Sequence, residues 1–397
     1  MFDFDREVDR RGTWSVQWDG TADRFGVADL LPFTISDMDF ASPPAVLDAL
    51  RERVDHGVFG YTDWRLGEFR EAVGDWYASR YGAAVDTGTM VYAPSVLSQL
   101  SQLLQMWTEP GDGIVVHTPT YDGFRKAVTG LGRELRPVPV DGPDAPELLE
   151  RELARPDSRM LLLCSPHNPT GRVWREDELK EFARLAERHG VAVVSDEIHA
   201  DLTGDGHRHV PWTAIAPPGR GHRWALITSG TKAFNFPALS GSYGFIGDPD
   251  ERGAFTRRME TGEGLASPAV LSLTAHIAAY RHGAPWLDAL RGYVDGTMAL
   301  IRERLAAGLP EVDWNPPQAG YLAWIDLRPL GIEEAALQEE LVSAERVAIM
   351  PGGVYGTPGF VRLNVGCPRA KAERGVDALI RAATRLRSRP VRGTMQE

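Results

Sequence analysis

Cysteine is almost absent from this chain: Cys164 and Cys367 are the two among 397 residues, and they form no CxxC pair. That excludes a disulfide framework and the usual zinc spacings, and each is expected to be a buried thiol. Long apolar runs are also lacking, and nothing approaches the roughly 18 residues that would span a bilayer. The opening residues carry no basic region followed by an apolar one, so no secretory signal is expected and the cytoplasm is the expected compartment. Basic charge is in deficit: the formal net charge is -12, which argues against a nucleic-acid partner. Neither a GxGxxG turn nor a P-loop occurs, which weakens a nicotinamide or nucleotide reading. No internal repeat or low-complexity tract interrupts the chain.

What is present is ordinary globular material, 43% hydrophobic and 25% charged, long enough for two domains. Residues 1–45 are rich in turn formers, with a strand-like piece at 30–35. Pro43 and Pro44 then open a helical run over 45–54, and a second run over 68–81 is closed by Gly82. From about residue 88 short apolar strands alternate with helices. The strands fall at 90–93, 114–117, 135–140, 160–164, 191–195, 225–228 and 242–246, and the clearest helices at 97–107, 122–131 and 176–189. Continuous apolar strands imply a sheet covered on both faces. The expectation is an α/β domain with a mostly parallel seven-stranded sheet. Helical stretches at 269–281 and 286–307 follow, then strand-like runs within 314–327 and 347–365 around a helix at 333–346. These predict a smaller α+β domain. The expected division is an N-terminal segment, 1–50, joining the small domain, a large domain over 51–285, and a small domain over 286–397.

Ligands of such sheets bind at the carboxyl ends of the strands, and the residues of chemical interest cluster there. After the strand at 225–228 come Ser229, Gly230 and Thr231, then Lys232 among Ala, Phe and Pro. Burying an ammonium is costly unless it is paired or loses its proton. A Schiff base with an aldehyde cofactor avoids that cost, and a solvated loop lysine is the rival reading. Ser95, Val96 and Leu97 open a helix, where free N–H groups suit a phosphate or Ser95 is simply an N-cap. Tyr121 could stack on a cofactor ring or only pack. Asn168, between two prolines, could donate to a phenolate oxygen or only build a turn. Asp196 follows a buried strand and needs a cationic partner, for which a protonated pyridine nitrogen would serve. Asp196, Glu197 and His199 match no usual metal spacing, and no metal site is expected. Arg362, in an otherwise apolar strand, suits a carboxylate, with an internal salt bridge as the alternative.

The order Tyr121, Asn168, Asp196, Lys232, Arg362 resembles the aspartate-aminotransferase fold (fold type I) of pyridoxal-phosphate enzymes, over essentially the whole chain. Within that group, Gly-Thr-Trp-Ser-Val-Gln-Trp-Asp at 12–19, Ser-Asp-Met-Asp-Phe at 36–40, His-Gly-Val-Phe-Gly-Tyr at 56–61, Ser-Asp-Glu-Ile-His at 195–199 and Arg-Leu-Asn-Val-Gly-Cys-Pro-Arg at 362–369 resemble the MalY/PatB-type cystathionine β-lyases. The resemblance implies pyridoxal 5'-phosphate bound as a Schiff base to Lys232. Asp196 would face its ring nitrogen, Asn168 its ring hydroxyl, with His199 nearby, and Tyr121 would stack on the ring. Ser95, Val96, Leu97 and Ser229 would hold the phosphate, joined by Tyr61 from the partner subunit of a homodimer. Arg362 would bind the substrate α-carboxylate, with Asp37 and Tyr61 also at the substrate. Eight residues past the lysine many aminotransferases carry an arginine, where this chain has Ser240, as the MalY/PatB group also lacks that arginine. The implied reaction is α,β-elimination from cystathionine or another L-cysteine S-conjugate, giving pyruvate, ammonia and a thiol. The Lys232 amine would remove the Cα proton. An aminotransferase on the same scaffold, and a cofactor-binding protein acting mainly through protein contacts, are the alternatives.

Overall fold

Strands that are apolar along their whole length need cover on both faces, and in this chain they receive it. The computed structural model describes residues 2–216, 221 and 223–388. It divides into a larger unit, Ala41–Arg291 with Gln318–Gly320, and a smaller one built from the first forty residues, Gly292–Pro317 and the residues from Tyr321 on. The last part of the expected small domain, 389–397, lies outside the described residues.

The first forty residues carry α1 (Thr21–Phe25) and β1 (Leu31–Phe33). The larger unit then runs α2 (Pro44–His56), α3 (Gly67–Trp76), β2 (Met90–Ala93), α4 (Val96–Trp107), β3 (Gly113–Thr118), α5 (Asp122–Gly130), β4 (Glu134–Pro139), α6 (Ala145–Leu153), β5 (Ser158–Cys164), α7 (Glu176–His189), β6 (Ala192–Asp196), α8 (Trp212–Ile215), β7 (Trp224–Thr228), β8 (Ser242–Ile246), α9 (Pro249–Arg257) and α10 (Val270–His282). Helix α11 (Ala284–Gly308) runs on beyond this unit. The smaller unit is completed by β9 (Leu322–Asp326), α12 (Glu334–Ser343), β10 (Val347–Pro351), β11 (Phe360–Asn364) and α13 (Arg369–Ser388).

The seven strands of the larger unit lie in the order β2-β8-β7-β6-β5-β3-β4. All neighbours are parallel except β8, which is antiparallel to both β2 and β7. Alternate residues of the strands, such as Ile114, Val116, Leu162, Val194 and Ile227, pack with Leu100 of α4, Phe124 of α5 and Phe255 of α9. The opposite face meets α6 and α7, as where His117 of β3 touches Phe182 of α7. Helix α7 shows why such a segment folds. Glu178 accepts a hydrogen bond from the Arg175 N–H at 2.8 Å, acidic residues fill its first turn and Arg188 and His189 its last. Gly190, at φ 65°, ends it in the left-handed conformation that a side chain would resist. The smaller unit holds a four-stranded sheet, β1-β10-β11-β9, parallel between β1 and β10 and antiparallel elsewhere. Helix α13 lies close on β1 because Gly375 leaves room for the Phe33 ring, which a Cβ would approach to 2.5 Å.

Two expectations change. The helix foreseen over 68–81 is α3 followed by a wider, π-helical turn, Tyr77–Tyr81. That turn brings Trp76 and Tyr81 to one carboxylate: Asp201 accepts from Trp76 Nε1 at 2.8 Å and from the Tyr81 hydroxyl. The unit boundaries fall after Phe40 and Arg291 where the sequence suggested 50 and 285. Helix α2 counts with the larger unit because it packs against α10, and Arg291 Nε donates to the Thr203 carbonyl at 2.6 Å. Residues 318–320 join the larger unit through a bridge from Thr203 to Ala319 and a bond from the Gly320 N–H to the Leu202 carbonyl at 2.8 Å. Cys164 and Cys367 are both free and buried. Among the described residues no helix is long and apolar enough to cross a membrane.

Candidate active site

The carboxyl ends of β3, β5, β6 and β7 are consecutive in the sheet, so the loops after them form one row. Cys164 pairs with Asp196 and Asp196 with Ile227 across the strands. The Ser165 N–H continues this ladder onto the Asp196 carbonyl at 2.9 Å, and the Thr228 hydroxyl donates to the Glu197 carbonyl at 3.0 Å. Beyond β7, Lys232 is half-buried between buried Thr231 and the fully enclosed Ala233 and Phe234. Bonds from the Phe234 N–H to the Gly230 carbonyl and from the Phe236 N–H to the Thr231 carbonyl, each 3.0 Å, close turns around it. The backbone carrying the amine is therefore held from both sides.

Asp196 is 4% exposed. Burial pushes its carboxyl up to about 7, with Glu197 adding in the same direction, while the Ile198 N–H and the Lys232 ammonium pull it back. The Ile198 bond is 3.0 Å to Oδ1. The next carboxylate, Glu197, is committed elsewhere. It accepts from Ser195 Oγ at 2.9 Å and the Trp212 N–H at 2.8 Å, and contacts His209 Nε2 at 2.8 Å. Its own N–H reaches the Ile227 carbonyl at 2.9 Å, which locks the end of β6 to β7. Among the described residues no group of three His, Cys, Asp or Glu is placed to hold a metal ion.

Helix α4 opens at Ser95, whose Oγ accepts the Ser98 N–H at 3.1 Å. The N–H groups of Val96 and Leu97 belong to the first turn, outside the helix's own ladder, and so suit an anion. The Gly241 N–H donates to the Pro94 carbonyl at 2.5 Å, and Ser229 Oγ donates to the Gly241 carbonyl at 2.8 Å. This ties the Ser229 loop to the start of α4. Ser229 Oγ also accepts the Thr231 N–H at 3.2 Å and lies 3.1 Å from Nε2 of His276 on α10. His276 is held by the Ser272 carbonyl at 2.8 Å, and burial pushes its pKa down to about 4, so the ring is neutral. Ser240 is exposed, at φ 54°.

Tyr121 is half-buried at the start of α5 and packs edge-on to Phe124 at 5.5 Å. Its ring rests over Gly123, where a Cβ would come within 2.4 Å of it; the glycine sets the ring's direction. Asn168 and His199 are both buried. The Asn168 N–H donates to Cys164 Sγ at 3.4 Å, and the thiol to the Pro166 carbonyl at 3.3 Å, so the end of β5 shapes this loop. The donor set of the larger unit suits a phosphorylated nitrogen heterocycle. A cationic ring nitrogen would relieve the buried Asp196, a phosphate would accept from the α4 amides, and Lys232 offers an amine.

Arg362 and Asp37 belong to the smaller unit. Arg362, 4% exposed on β11, donates from Nη2 to the Thr34 carbonyl at 2.8 Å and lies 4.7 Å from the Tyr355 ring centroid. Asp37 pairs with Arg10 at 2.7 Å. Asn364 Nδ2 donates to the Asp37 carbonyl at 2.7 Å, fixing the backbone there. Tyr61 is 99% exposed. His276, His209 and Arg10 escaped the sequence reading, and Glu197 was weighed there only as a metal ligand. Arg10 lies just before the motif at 12–19 and Glu197 within that at 195–199; nothing local marks a histidine in mid-helix.

The aminotransferase class I and II family matches residues 28–379. Protein MalY of Escherichia coli strain K12 is 52% identical over 395 residues, covering 98% of this chain and 100% of that protein. Cystathionine beta-lyase PatB of Bacillus subtilis strain 168 is 38% identical over 382 residues, 94% of this chain and 97% of its own length. Among solved structures, the PLP-bound C-S lyase from Staphylococcus hominis superposes with a TM-score of 0.90 at 26% identity, covering 96% of this chain and 98% of that one.

Proposed function

Since the chain belongs to the aminotransferase class I and II family, we propose that it is a pyridoxal-phosphate-dependent carbon–sulfur β-lyase. It cleaves cystathionine or related L-cysteine S-conjugates to pyruvate, ammonia and a thiol, homocysteine where cystathionine is the substrate. The observation that carries this reading is the buried carboxyl of Asp196 held within electrostatic reach of the Lys232 ammonium at the end of β6. A carboxyl so buried is costly to ionise unless a cation such as a protonated heterocycle faces it. When bound, pyridoxal phosphate supplies an electron sink for the charge left at Cα.

The chain's own residues do the rest. Lys232 would hold the cofactor, and its free Nζ would take the proton from the substrate Cα. Asp196 would keep the ring nitrogen protonated, Asn168 would donate to the ring hydroxyl with His199 beside it, and Tyr121 would cover the ring. The amides of Val96 and Leu97, with Ser95 and Ser229, would bind the phosphate. Arg362 would take the α-carboxylate, with Asp37 also at the substrate, as the family resemblance implies. A serine at position 240 would leave the phosphate without a guanidinium partner there, as the resemblance to the MalY/PatB-type lyases implies. The name borne by PatB supports cystathionine as substrate. The unit of function in this proposal is a homodimer to which Tyr61 contributes across the interface, and the exposed apolar residues Val58, Phe59 and Leu66 around it support that role. The two free thiols suit a reducing, cytoplasmic setting.

The test is incubation of the holoenzyme with cystathionine and no keto acid. Pyruvate and homocysteine should appear in equal amounts, and Lys232→Ala should abolish both together with the visible absorbance of the lysine-bound cofactor. Consumption of an added keto acid without pyruvate release would identify an aminotransferase instead.

A further inference from the structure

The loops that carry Tyr121 and Asn168 have a second side. His117 lies on β3 just before the first loop, and the second runs on to Arg172 and Trp174. These three side chains wall a cavity of about 340 Å³ inside the larger unit, next to α6 and α7. Its floor is aromatic and apolar. The Trp174 ring lies 4.7 Å from that of His117 and 5.1 Å from that of Phe182, with Leu149 and Leu185 beside them.

Its rim is acidic. Asp141, Asp177, Glu178 and Glu181 line it against one cation, Arg172. That guanidinium is already held over Trp174 at 4.4 Å and by Glu178 at 2.5 Å. Asp177 and Glu181 also meet Arg175 and Arg184, but at exposed positions, where such pairs are weak.

Packing does not explain His117. It is 5% exposed, and its Nδ1 finds no hydrogen-bond partner among the described residues. Burial, with His167 and Arg172 nearby, pushes its pKa down to about 3, so the ring is neutral. A leucine would fill the same space without burying an unsatisfied nitrogen.

We propose that this cavity is a binding site for a compact organic cation, its apolar body seated against Trp174 and Phe182 and its ammonium drawn to the rim carboxylates, with the His117 imidazole accepting an N–H. The volume is at the lower end for small-molecule sites. The site is separate from the one centred on Lys232 and does not rest on the lyase reading.

The probe is N,N-dimethyl-2-phenylethylamine, a tertiary amine that cannot condense with an aldehyde, titrated calorimetrically into the holoenzyme. One saturable site per chain is expected, at least tenfold tighter than for the uncharged 2-phenylethanol and weakened by salt. His117→Phe keeps a ring and removes the nitrogens, and should weaken binding about tenfold. Ala145→Trp, at a half-buried lining position, should fill the cavity and abolish binding, while the cofactor's visible spectrum stays unchanged. Equal affinity for amine and alcohol, absence of saturation, or unchanged affinity in Ala145→Trp overturns the proposal. If His117→Phe does not fold, Ala145→Trp decides alone.

Discussion

At Asp196 burial and charge pull in opposite directions, and the balance is measurable. Its folded pKa of about 7 lies above the ordinary 3.8, so between those values the native state keeps a proton that the unfolded chain has released. The contribution to stability is fully present below about pH 4 and is lost as pH rises through about 7. In cofactor-free protein, Asp196→Asn should flatten that decline. It should also leave the protein more stable above pH 7, by up to about 4 kcal/mol. Urea unfolding at stepped pH reads this directly, and a variant as pH-sensitive as the parent would place the titration elsewhere. Lys232 and Asp196 were legible because each follows a continuous apolar strand, where a charged side chain is conspicuous. His276 was not: its contact with Ser229 joins α10 to a loop 47 positions earlier in the chain, and no spacing rule connects them.

Among the elements, the strands of the large sheet were readable because burial on both faces leaves an unbroken apolar signal, and their order was not, because periodicity says nothing about neighbours. The wider turn at Tyr77–Tyr81 has no local signal in the sequence, and its Tyr81 hydroxyl donates to Asp201, far away in the chain. A similar long-range cluster supports the segment around Asp37. The neighbouring Asp39, 3% exposed, accepts from Arg10 at 3.0 Å, Trp18 Nε1 at 2.8 Å and Lys371 Nζ at 2.5 Å. Lys371, from α13, lies over the rings of Trp18 and Phe33 at 4.4 and 4.9 Å. Asp39→Ala would leave that ammonium buried without its carboxylate, and should destabilise the protein by about 3–5 kcal/mol. Adding Lys371→Met should recover part of the loss in chemical denaturation. No recovery would mean that Asp39 acts through Arg10 and Trp18 rather than through the buried lysine.

For the molecule as a whole, the proposed dimer makes a prediction that no single subunit can mimic. If Tyr61 serves the partner's site, Tyr61→Ala and Lys232→Ala proteins are each impaired alone. Refolded together, they should form mixed dimers in which one site regains both groups. Activity recovered on mixing, and absent from either variant by itself, is the expected result; no recovery despite mixed dimers would place Tyr61 outside the partner's site. The division into units also bears on how the protein is made. Strand β1 finds its partner, β10, only across the full length of the larger unit. On a ribosome adding about 5–20 residues per second, roughly 300 residues separate the two, so β1 waits on the order of 15–60 s for its neighbour. The larger sheet, made of contiguous sequence, can be assembled during that interval. A translational stop anywhere before β10 would leave β1, with its apolar Leu31 and Phe33, as an orphaned strand and a target for quality control.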